Sequence, residues 1–363
     1  YPQTRLHTIG EIEKAGFGKY EIPLCVSTRT QRTYVGKMNV ILEMTRGKLE
    51  VKSDADGALT HIMHTTVSSA KLEGIGDFAA YNEAQIIERA IRSIFSQKLS
   101  GIVVKEVLVV SSGSTDDTDE IVTKLIPEFP PLRLFRQEKR EGKNSAINCY
   151  LDNKTCDIVV MLNADNVFGT DDSLQKLVEP FRDPKVGITG GRPIPTNDKK
   201  DKIGFAVHMM WCMHHELALV HPKIGELIAF RDIGTRLPTD MQSDEDIIRM
   251  KLEQAGYICV YVGDSIILNR GPETLEDFMK QRIRVNIGEC TMKKMYNYDI
   301  PTWNTKYLIH ALYDSIHELG FHPYKMLYVA MLERKCRRIA QEHVDKGEDN
   351  MGIWDRVDST KKL

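Results

Sequence analysis

From residue 72 onward, short apolar runs alternate along the chain with amphipathic stretches. The runs have the length of buried strands and span residues 103–110, 132–135, 157–162, 186–189 and 257–262. The stretch after Asn82 carries apolar residues at helical spacing, and Asn82 is favoured at helix N-caps, so we predict a helix that starts there. Strands that alternate with helices predict an α/β fold with a mostly parallel central sheet and flanking helices.

The two ends of the chain carry other patterns. Residues 1–71 are rich in Thr, Val and turn residues, with alternation over 37–44, which predicts a small β-rich N-terminal extension. After Pro301, apolar residues at helical spacing predict a first C-terminal helix, whose stripe comprises Leu308, Ile309, Leu312, Tyr313 and Ile316. We therefore expect an extension at 1–71, an α/β domain at 72–300 and a helical segment at 301–363.

Length and charge exclude some partners. A chain of 363 residues can bury one large α/β core with appended elements. Its formal net charge of −2 gives no reason to expect a nucleic-acid partner, since phosphate-backbone binding needs a clustered basic excess. Any nucleotide bound is therefore expected to be a small molecule.

The cysteine pattern indicates a reducing compartment. The seven cysteines form no C-x-x-C pair and show no metal-ligand spacing, so we interpret them as buried thiols in a cytoplasmic protein. The sequence opens without an apolar signal region and holds no run long enough for a spanning helix. We expect a soluble protein or one that is peripheral on the cytoplasmic membrane face.

In open α/β sheets, ligands bind at the carboxyl ends of the strands. The first predicted strand is followed by Ala80-Tyr81-Asn82-Glu83, which either binds a base or ribose edge or only caps a helix. The second is followed by a small polar turn at 111–116, whose backbone amides either approach a nucleotide or form an ordinary strand-to-helix turn. Both readings stay open for each loop.

A third loop predicts a metal site. Asn163 and Asp165 stand two apart on an extended segment, so their side chains point the same way and can share a ligand. A carboxylate with an oxygen neighbour suits a hard divalent cation that bridges phosphates. The alternative is a turn with Asx hydrogen bonds.

Two further clusters carry charge. Three acidic residues stand at a predicted helix start, namely Asp244, Glu245 and Asp246. Either the helix macrodipole alone explains them, or one of them acts as a general base. Gln281, Arg282 and Arg284 follow on a later helix. They form either a solvated face or a clamp for a diphosphate.

The order of these motifs resembles the family 2 glycosyltransferases, which have the A-type fold, over residues 72–289. The resemblance also rests on Gly142-Lys143-Asn144-Ser145-Ala146-Ile147-Asn148 and on the segment 225–231. It implies that Asp165 and Asn163 bind Mg²⁺ or Mn²⁺, and that Gly225 and Glu226 contact the acceptor. The nucleotide-sugar-binding residues it implies are Ala80, Tyr81, Glu83, Ser112, Gly142, Lys143, Asn163, Gln281, Arg282 and Arg284.

Several positions depart from the family pattern. Ser111 and Ser112 replace two aspartates near the nucleotide, and Asn163 replaces the first metal aspartate. The order of the catalytic Glu-Asp pair is inverted. We therefore rank the candidates for the general base as Glu245 first, Asp246 second and Asp244 third. Val285 stands where the family has a tryptophan that stacks on an acceptor sugar. This departure, together with the lack of membrane helices, favours a single transfer over processive synthesis.

The resemblance implies an inverting, non-processive hexosyl transfer from a UDP- or GDP-linked sugar to a glycan or lipid-linked acceptor. The base would deprotonate the acceptor hydroxyl for direct displacement at the anomeric carbon. One rival is a non-catalytic nucleotide-sugar-binding protein of the same fold. A second rival is a sugar-nucleotide pyrophosphorylase, which the loop at 81–84 disfavours because it is not Gly-rich.

The basic cluster near the end of the chain leaves two readings of the C-terminal helices. The cluster comprises Arg334, Lys335, Arg337 and Arg338. The helices either cap the catalytic domain or rest on an anionic membrane next to a lipid-linked acceptor.

Overall fold

The computed structural model describes residues 19–27, 32–45, 48–53, 72–348, 352 and 360, with side chains from Ala80 onward. The chain divides into two compact units, Tyr1–Ala70 and Lys71–Leu363. In the first unit, β1 (Lys19–Ser27), β2 (Arg32–Thr45) and β3 (Lys48–Ser53) form an antiparallel sheet in the order β1-β2-β3. The expected β-rich extension is thereby confirmed.

The second unit contains a mixed sheet with helices on both faces. Its strands are β4 (Leu72–Ala80), β5 (Ile102–Ser112), β6 (Leu132–Gln137), β7 (Ile158–Leu162), β8 (Val167–Phe168), β9 (Val186–Pro195), β10 (Leu227–Arg231) and β11 (Ile258–Asn269). Its helices are α1 (Ile87–Phe95), α2 (Thr118–Leu125), α3 (Lys143–Asn153), α4 (Ser173–Val178), α5 (Lys202–Val220), α6 (Asp244–Gln254), α7 (Leu275–Tyr296), α8 (Thr305–Leu319) and α9 (Pro323–Asp345). Short 3₁₀ turns lie at Glu179–Arg182 and Pro301–Trp303.

The strand order, β6-β5-β4-β7-β10-β9-β11-β8, gathers many strand ends at one edge. β4 pairs in parallel with β5 and β7, β5 with β6, and β9 with β11. β10 runs antiparallel to both β7 and β9, so its amino end lies at the edge where these neighbours have their carboxyl ends. The sheet therefore gathers the carboxyl ends of β4, β5, β6, β7, β9 and β11 and the amino end of β10 at one edge, the location at which α/β sheets bind ligands.

Burial on both faces explains why the central strands are almost entirely apolar. In β5, Val107 and Val109 pack on the face covered by α1, whereas Leu108 and Val110 pack on the face covered by α3. Successive side chains of a strand point to opposite faces, so a strand with helices on both sides needs apolar residues at every position. The five predicted strands are confirmed, each within a longer or slightly shifted segment.

The predicted start of the first helix is wrong. α1 begins at Ile87, and Asn82 does not cap it. Asn82 instead has left-handed backbone geometry, with φ of 56°. Its Oδ1 accepts a hydrogen bond from the Thr115 amide at 2.8 Å. An asparagine tolerates this conformation because its short side chain bonds locally, and here that bond joins the loops after β4 and β5.

The predicted stripe on the first C-terminal helix is only partly buried. In α8, Ile309 and Tyr313 are 62% and 69% exposed, and the fully buried positions are Ala311, Ser315 and Leu319. α8 lies against α5, and α9 lies against α7 and α5. Small residues at the α8 contact allow close helix approach, which shifts the buried face away from the larger side chains.

Two further features concern compartment and membranes. Within the described ranges, no helix is long and apolar enough to cross a bilayer. Six cysteines in these ranges are free thiols. Cys156, Cys212, Cys290 and Cys336 are buried as expected, whereas Cys149 and Cys259 are only half-buried. Cys25 lies outside the described side chains.

Candidate active site

A cavity of about 280 Å³ lies at the sheet edge where the strand termini meet. Several elements contribute to it, including the loops beside β7, β10 and β11 and faces of α3, α5, α6 and α7. It gathers most of the residues that the sequence indicates, namely Lys143, Asn163, Asp165, Gly225, Glu226, Asp244, Glu245, Asp246, Gln281, Arg282 and Arg284. Motifs that are up to about 140 positions apart in the sequence therefore line one space.

The other predicted residues, Ala80, Tyr81, Glu83, Ser112 and Gly142, are outside the described lining of this cavity. Tyr81 lies under the guanidinium of Arg140, whose Cζ is 4.1 Å from the ring centroid. The amide of Glu83 donates to Thr118 Oγ1 at 2.8 Å. Ala80 is buried at the end of β4.

Ser112 and Gly142 hold neighbouring loops together. Ser112 Oγ accepts from the Glu141 amide at 3.0 Å, which ties the end of β5 to the loop before α3. Gly142 has a φ of 91° at the N-cap of α3, a conformation that other residues rarely adopt. These contacts position Lys143, the first residue of α3, at the cavity.

The pairing of β10 with β7 places Glu226 beside Asn163. Leu227 pairs with Leu162 across these antiparallel strands, so Glu226 lies opposite Asn163. Glu226 Oε2 accepts from Asn163 Nδ2 at 2.6 Å and from Asn166 Nδ2 at 3.0 Å. Burial raises the pKa of the Glu226 carboxyl, and the charge of nearby Asp165 raises it further. Asn163, Asp165 and Glu226 thus form one oxygen-rich group.

Lys143 pairs with the acidic cluster at the start of α6. Its Nζ lies 2.7 Å from Asp244 Oδ2 and 3.5 Å from Glu245 Oε1. Burial alone would lower the pKa of Lys143, but the two carboxylates outweigh burial and raise it above its usual range. The ammonium therefore stays charged and holds α3 to α6.

The two carboxylates of this pair differ in their pKa. Burial and the adjacent Glu245 charge raise the pKa of Asp244 to about 7. Burial opposes ionisation of Glu245 too, but the charge of Lys143 and a backbone hydrogen bond outweigh burial and lower its pKa to about 2. Glu245 is thus the carboxylate that is ionised throughout the neutral range.

Asp246 belongs to a second buried ion pair. Both of its oxygens accept from Lys223 Nζ at 2.8 Å, and Glu289 Oε1 lies 3.9 Å from the same ammonium. Burial would lower the pKa of Lys223, but Asp246 and Glu289 raise it instead. Asp246 is therefore committed to a charged partner that the sequence analysis did not identify.

Side-chain amides of α3 fix the loop that carries the acidic cluster. Asn144 Nδ2 donates to the carbonyls of Pro238 at 2.7 Å and Met241 at 2.9 Å. Asn148 exchanges two hydrogen bonds with the backbone of Leu237, both at 2.8 Å. A methyl group at Gly288 would lie 2.4 Å from Ser243 Oγ, so a larger residue there would require the serine side chain to move.

The residues on α7 divide into two groups. Arg284 is half-buried, and its charge faces Glu226, Asp165, Asp244 and Glu245; burial lowers its pKa despite these carboxylates. Gln281 lines the cavity too.

Arg282 also lines the cavity, but its guanidinium donates to both oxygens of Glu333 on α9, at 2.9 and 2.8 Å. Arg282 thus joins α7 to α9, and its expected role as a clamp for a diphosphate stays a prediction.

Some cavity residues carried no interpreted sequence signal. Lys223 is an isolated lysine whose ion pair depends on the fold. Trp211 and His214 lie on α5, which is apolar over most of its length and so indicates burial, not a site. Asn269 enters at the end of β11. The predicted strand ends at residue 262, so a search at its carboxyl end would not have reached Asn269.

The comparisons with known proteins fit this arrangement. Residues 78–237 match the profile of the family described as glycosyl transferase family 2. The poly-beta-1,6-N-acetyl-D-glucosamine synthases of Staphylococcus aureus (strain COL) and Staphylococcus epidermidis are 29% and 26% identical over 229 residues. That alignment covers 59% of this chain and 54% of each relative, so the chain spans about half the length of the curated relatives it matches.

A solved structure supports the fold. The mannosyltransferase PcManGT from Pyrobaculum calidifontis, in complex with GDP-Man and Mn²⁺, is 22% identical and superposes with a TM-score of 0.51. The superposition covers 77% of this chain and 86% of that protein. The sheet and its edge cavity define an A-type glycosyltransferase fold. Over residues 78–237, the chain is similar to the glycosyl transferase family 2.

The Arg282–Glu333 contact predicts an acid-sensitive stability. Burial raises the pKa of Glu333, but Arg282 and Arg337 outweigh burial and lower it from its usual value of 4.5 to about 2. A carboxyl with a lowered pKa stabilises the fold above pH 4.5, and this contribution is lost as the pH falls toward 2. We expect Glu333→Gln to lower the free energy of unfolding by about 3 kcal/mol at pH 7, and by progressively less below pH 4.5.

Urea unfolding of both proteins between pH 7 and pH 3 measures this difference. Glu276→Gln is the matched control, because Glu276 pairs with Lys280 on the exposed side of α7, the helix that carries Arg282. We expect its effect to stay within about 0.5 kcal/mol at every pH. A gap between Glu333→Gln and wild type that does not change with pH would contradict the assignment.

Proposed function

We propose that the chain carries out an inverting, non-processive transfer of a hexose from a UDP- or GDP-linked donor to a glycan or lipid-linked acceptor. The observation that carries this proposal is the cavity itself, in which carboxylates and buried cations converge at the strand termini. Residues 72–300 would carry the catalysis. We assign no function to residues 1–71.

The cations suit a departing diphosphate. Lys143 and Arg284 both line the cavity, and each is half-buried beside carboxylates. Fixed charges in a water-poor site stabilise charge that develops in the transition state more strongly than charges in water do. Gln281, on the same face of α7 as Arg284, would add a hydrogen-bond donor to the same group.

Glu245 fits the role of the general base better than its neighbours do. Asp244 lies 2.7 Å from Lys143, and Asp246 accepts twice from Lys223, whereas Glu245 is 3.5 Å from the Lys143 ammonium. The Glu245 side chain is 20% exposed, against 7% for Asp244 and 6% for Asp246. Glu245 is thus ionised, more exposed than its neighbours and farther from a lysine than they are.

The step follows from this placement. Glu245 takes the proton of an acceptor hydroxyl, and the oxygen bonds to the anomeric carbon while the bond from that carbon to the diphosphate oxygen breaks. Attack from the face opposite the leaving group inverts the anomeric configuration. The electron pair of the broken bond stays on the nucleoside diphosphate, whose charge Lys143 and Arg284 offset.

A divalent cation fits the group around Asp165. Asp165 and Glu226 supply carboxylates and Asn163 an amide oxygen, which are ligands that Mg²⁺ and Mn²⁺ accept. In the described part of the chain, no cluster of three His, Cys, Asp or Glu residues forms a complete cage. Mg²⁺ commonly binds through one or two carboxylates together with substrate phosphates, so a partial protein shell is expected. A bound cation would neutralise part of the diphosphate charge.

The second candidate is a binding protein of the same fold that lacks transfer activity. Ser111, Ser112 and Asn163 favour it, because each replaces a residue that the family uses for nucleotide or metal. Glu226 weakens this alternative, since it adds a carboxylate beside Asn163 and so offsets the missing aspartate. Val285 at the cavity disfavours processive synthesis and leaves single transfer.

A donor screen tests the proposal. We expect one of UDP-glucose, UDP-N-acetylglucosamine or GDP-mannose to raise the melting temperature in the presence of Mn²⁺ and to release its nucleoside diphosphate slowly in water. With that donor, Glu245→Gln should reduce hydrolysis by about 10²- to 10⁴-fold, because the base is lost, while the donor Kd changes less than threefold.

Glu253→Gln is the matched control for this variant. Glu253 lies on the same helix and accepts from Arg249 and Tyr298, away from the cavity lining, so its turnover should equal that of wild type. Full activity of Glu245→Gln would remove Glu245 from the role. Donor binding without turnover in the wild-type protein would favour the binding protein.

The cation site makes opposite predictions for two substitutions. Asn163→Asp should tighten donor-dependent Mn²⁺ binding at least tenfold, because it adds a charged ligand. Glu226→Gln should weaken Mn²⁺ binding by a similar factor. Titration calorimetry with Mn²⁺ and the nucleoside diphosphate of the active donor measures both.

The stability of the metal-free protein provides the internal check. Asn163→Asp places a carboxylate where Asn163 Nδ2 donates to Glu226 at 2.6 Å, so like charges would repel and the melting temperature should fall without metal. Added Mn²⁺ should restore it. Equal Mn²⁺ affinity in wild type and both variants would exclude this group as the cation site.

We further propose that the outer face of α9 rests on an anionic lipid surface. Tyr324, Leu327 and Met331 lie on this face at helical spacing and are 89%, 58% and 57% exposed. The same face continues toward the C-terminal end of the helix with exposed basic residues, namely Arg334, Lys335 and Arg338. Apolar side chains next to basic ones match the interface of an anionic bilayer.

Vesicle flotation tests the contact. We expect binding to phosphatidylglycerol vesicles at low salt, weakened by high salt and absent with phosphatidylcholine alone. Tyr324→Ser with Leu327→Ser should abolish it, and Arg334→Gln with Lys335→Gln should weaken it by about 2 kcal/mol, since each basic residue contributes about 1 kcal/mol. No binding to anionic vesicles at low salt would leave α8 and α9 as a structural cap.

A further inference from the structure

We propose that the α5 wall of the cavity is the subsite for the acceptor sugar, with Trp211 as its stacking surface and His214 as its hydrogen-bonding group. The inference rests on the proposed function and assigns residues that the motif comparison does not reach. Its ligand is a pyranose ring that presents a hydroxyl to Glu245.

One face of α5 forms this wall. Val207, Met210, Trp211, His214 and Leu217 follow the helical repeat, and all of them line the cavity. Trp211 is half-buried, so part of its ring is open to a ligand. The Trp211 and His214 rings meet edge to face with centroids 5.3 Å apart, which fixes one ring against the other.

Trp211 offers the aromatic surface that position 285 lacks. Val285 lines the same cavity, at the position where the family motif has a tryptophan. Among the described lining residues, Trp211 is the only tryptophan. An indole face suits the apolar C–H face of a sugar ring, because both are flat and weakly polar. The stacking role is therefore carried by another helix in this chain.

One ring nitrogen of His214, Nδ1, is buried and lacks a hydrogen-bond partner among the described residues. Burial and the charge of Lys223 lower its pKa to about 3, so the imidazole is neutral and can accept or donate to a hydroxyl. A buried polar atom without a partner costs about 1–3 kcal/mol, which a ligand hydroxyl would recover.

Two other lining side chains share this property. Gln242 Nε2 and Asn269 Oδ1 are buried and lack a hydrogen-bond partner within the same described set. Several unmet polar atoms around one aromatic surface indicate a ligand with many hydroxyl groups. This combination distinguishes a sugar from a purely apolar acceptor.

The rim beside this wall is apolar. Leu217 and Leu308 line the cavity, and the exposed residues that follow them in sequence are Leu219, Val220 and Ile309. The sugar could thus belong to a free glycan or to a lipid-linked one. Methyl and octyl glycosides of glucose and N-acetylglucosamine separate these sources, because only the octyl forms carry an alkyl chain.

The test uses the full chain, the active donor and these glycosides. In wild type we expect transfer to at least one glycoside, and quenching of tryptophan fluorescence by the same compound. Trp211→Ala should lower kcat/KM for transfer at least tenfold and lose the quench, with donor hydrolysis within threefold of wild type. Trp211→Phe, which keeps an aromatic face, should retain most of the transfer.

Two more variants sharpen the result. Val285→Trp in the Trp211→Ala background should recover part of the transfer, because it restores an aromatic surface in the same cavity. His214→Phe keeps the ring volume but removes the hydrogen bond, so transfer should fall about tenfold with hydrolysis retained. Trp303→Phe is the fluorescence control, and the quench should persist in it because Trp303 is not among the lining residues.

Failure of the inference is distinct from failure of the proposed function. Absence of donor hydrolysis in wild type would overturn the function and this subsite with it. Hydrolysis in wild type, with no glycoside giving transfer or quenching, would overturn the sugar subsite alone. Unchanged transfer by Trp211→Ala, or an equal loss of transfer and hydrolysis, would also overturn it. A preference for octyl over methyl glycosides identifies a lipid-linked source.

Discussion

The antiparallel entry of β10 between β7 and β9 is the constraint on which the site depends. It joins a parallel group of strands to a second group and turns the amino end of one strand toward the carboxyl ends of its neighbours. Glu226 reaches Asn163 only through this register, since Leu227 pairs with Leu162. A slip of one residue would turn these side chains to the other face of the sheet and separate the oxygen-rich group.

Charge balance is the second organising feature. Lys143 and Lys223 lie in buried positions where an isolated ammonium would be strongly destabilised, and each is paired with carboxylates at the start of α6. The two lysines therefore lie close to Asp244 and Asp246 and farther from Glu245. Removal of either lysine would leave uncompensated carboxylates in the cavity.

Local patterns made much of this predictable. The apolar run from Val107 to Val110 indicated a strand that is covered by helices on both faces. The acidic cluster indicated the start of a helix and a candidate general base. Long-range contacts were not predictable. The register that brings Glu226 to Asn163, and the partner of Arg282 at Glu333, depend on tertiary packing. The helix start predicted at Asn82 was wrong, because asparagine is favoured at helix N-caps and also tolerates left-handed backbone geometry. The hydrogen bond from the Thr115 amide holds Asn82 in the left-handed geometry.

The Arg282–Glu333 contact bears on where the catalytic part of this protein ends. The family profile stops at residue 237, yet the helix that carries Gln281 and Arg284 is held by a carboxylate nearly one hundred residues further on. Arg337 adds a second bond to the same carboxylate, at 3.0 Å. A fragment trimmed to residue 300 would leave the half-buried guanidinium of Arg282 without its counter-ion, and one trimmed to the profile would lack α7 altogether. The smallest unit able to fold around the cavity therefore reaches into α9.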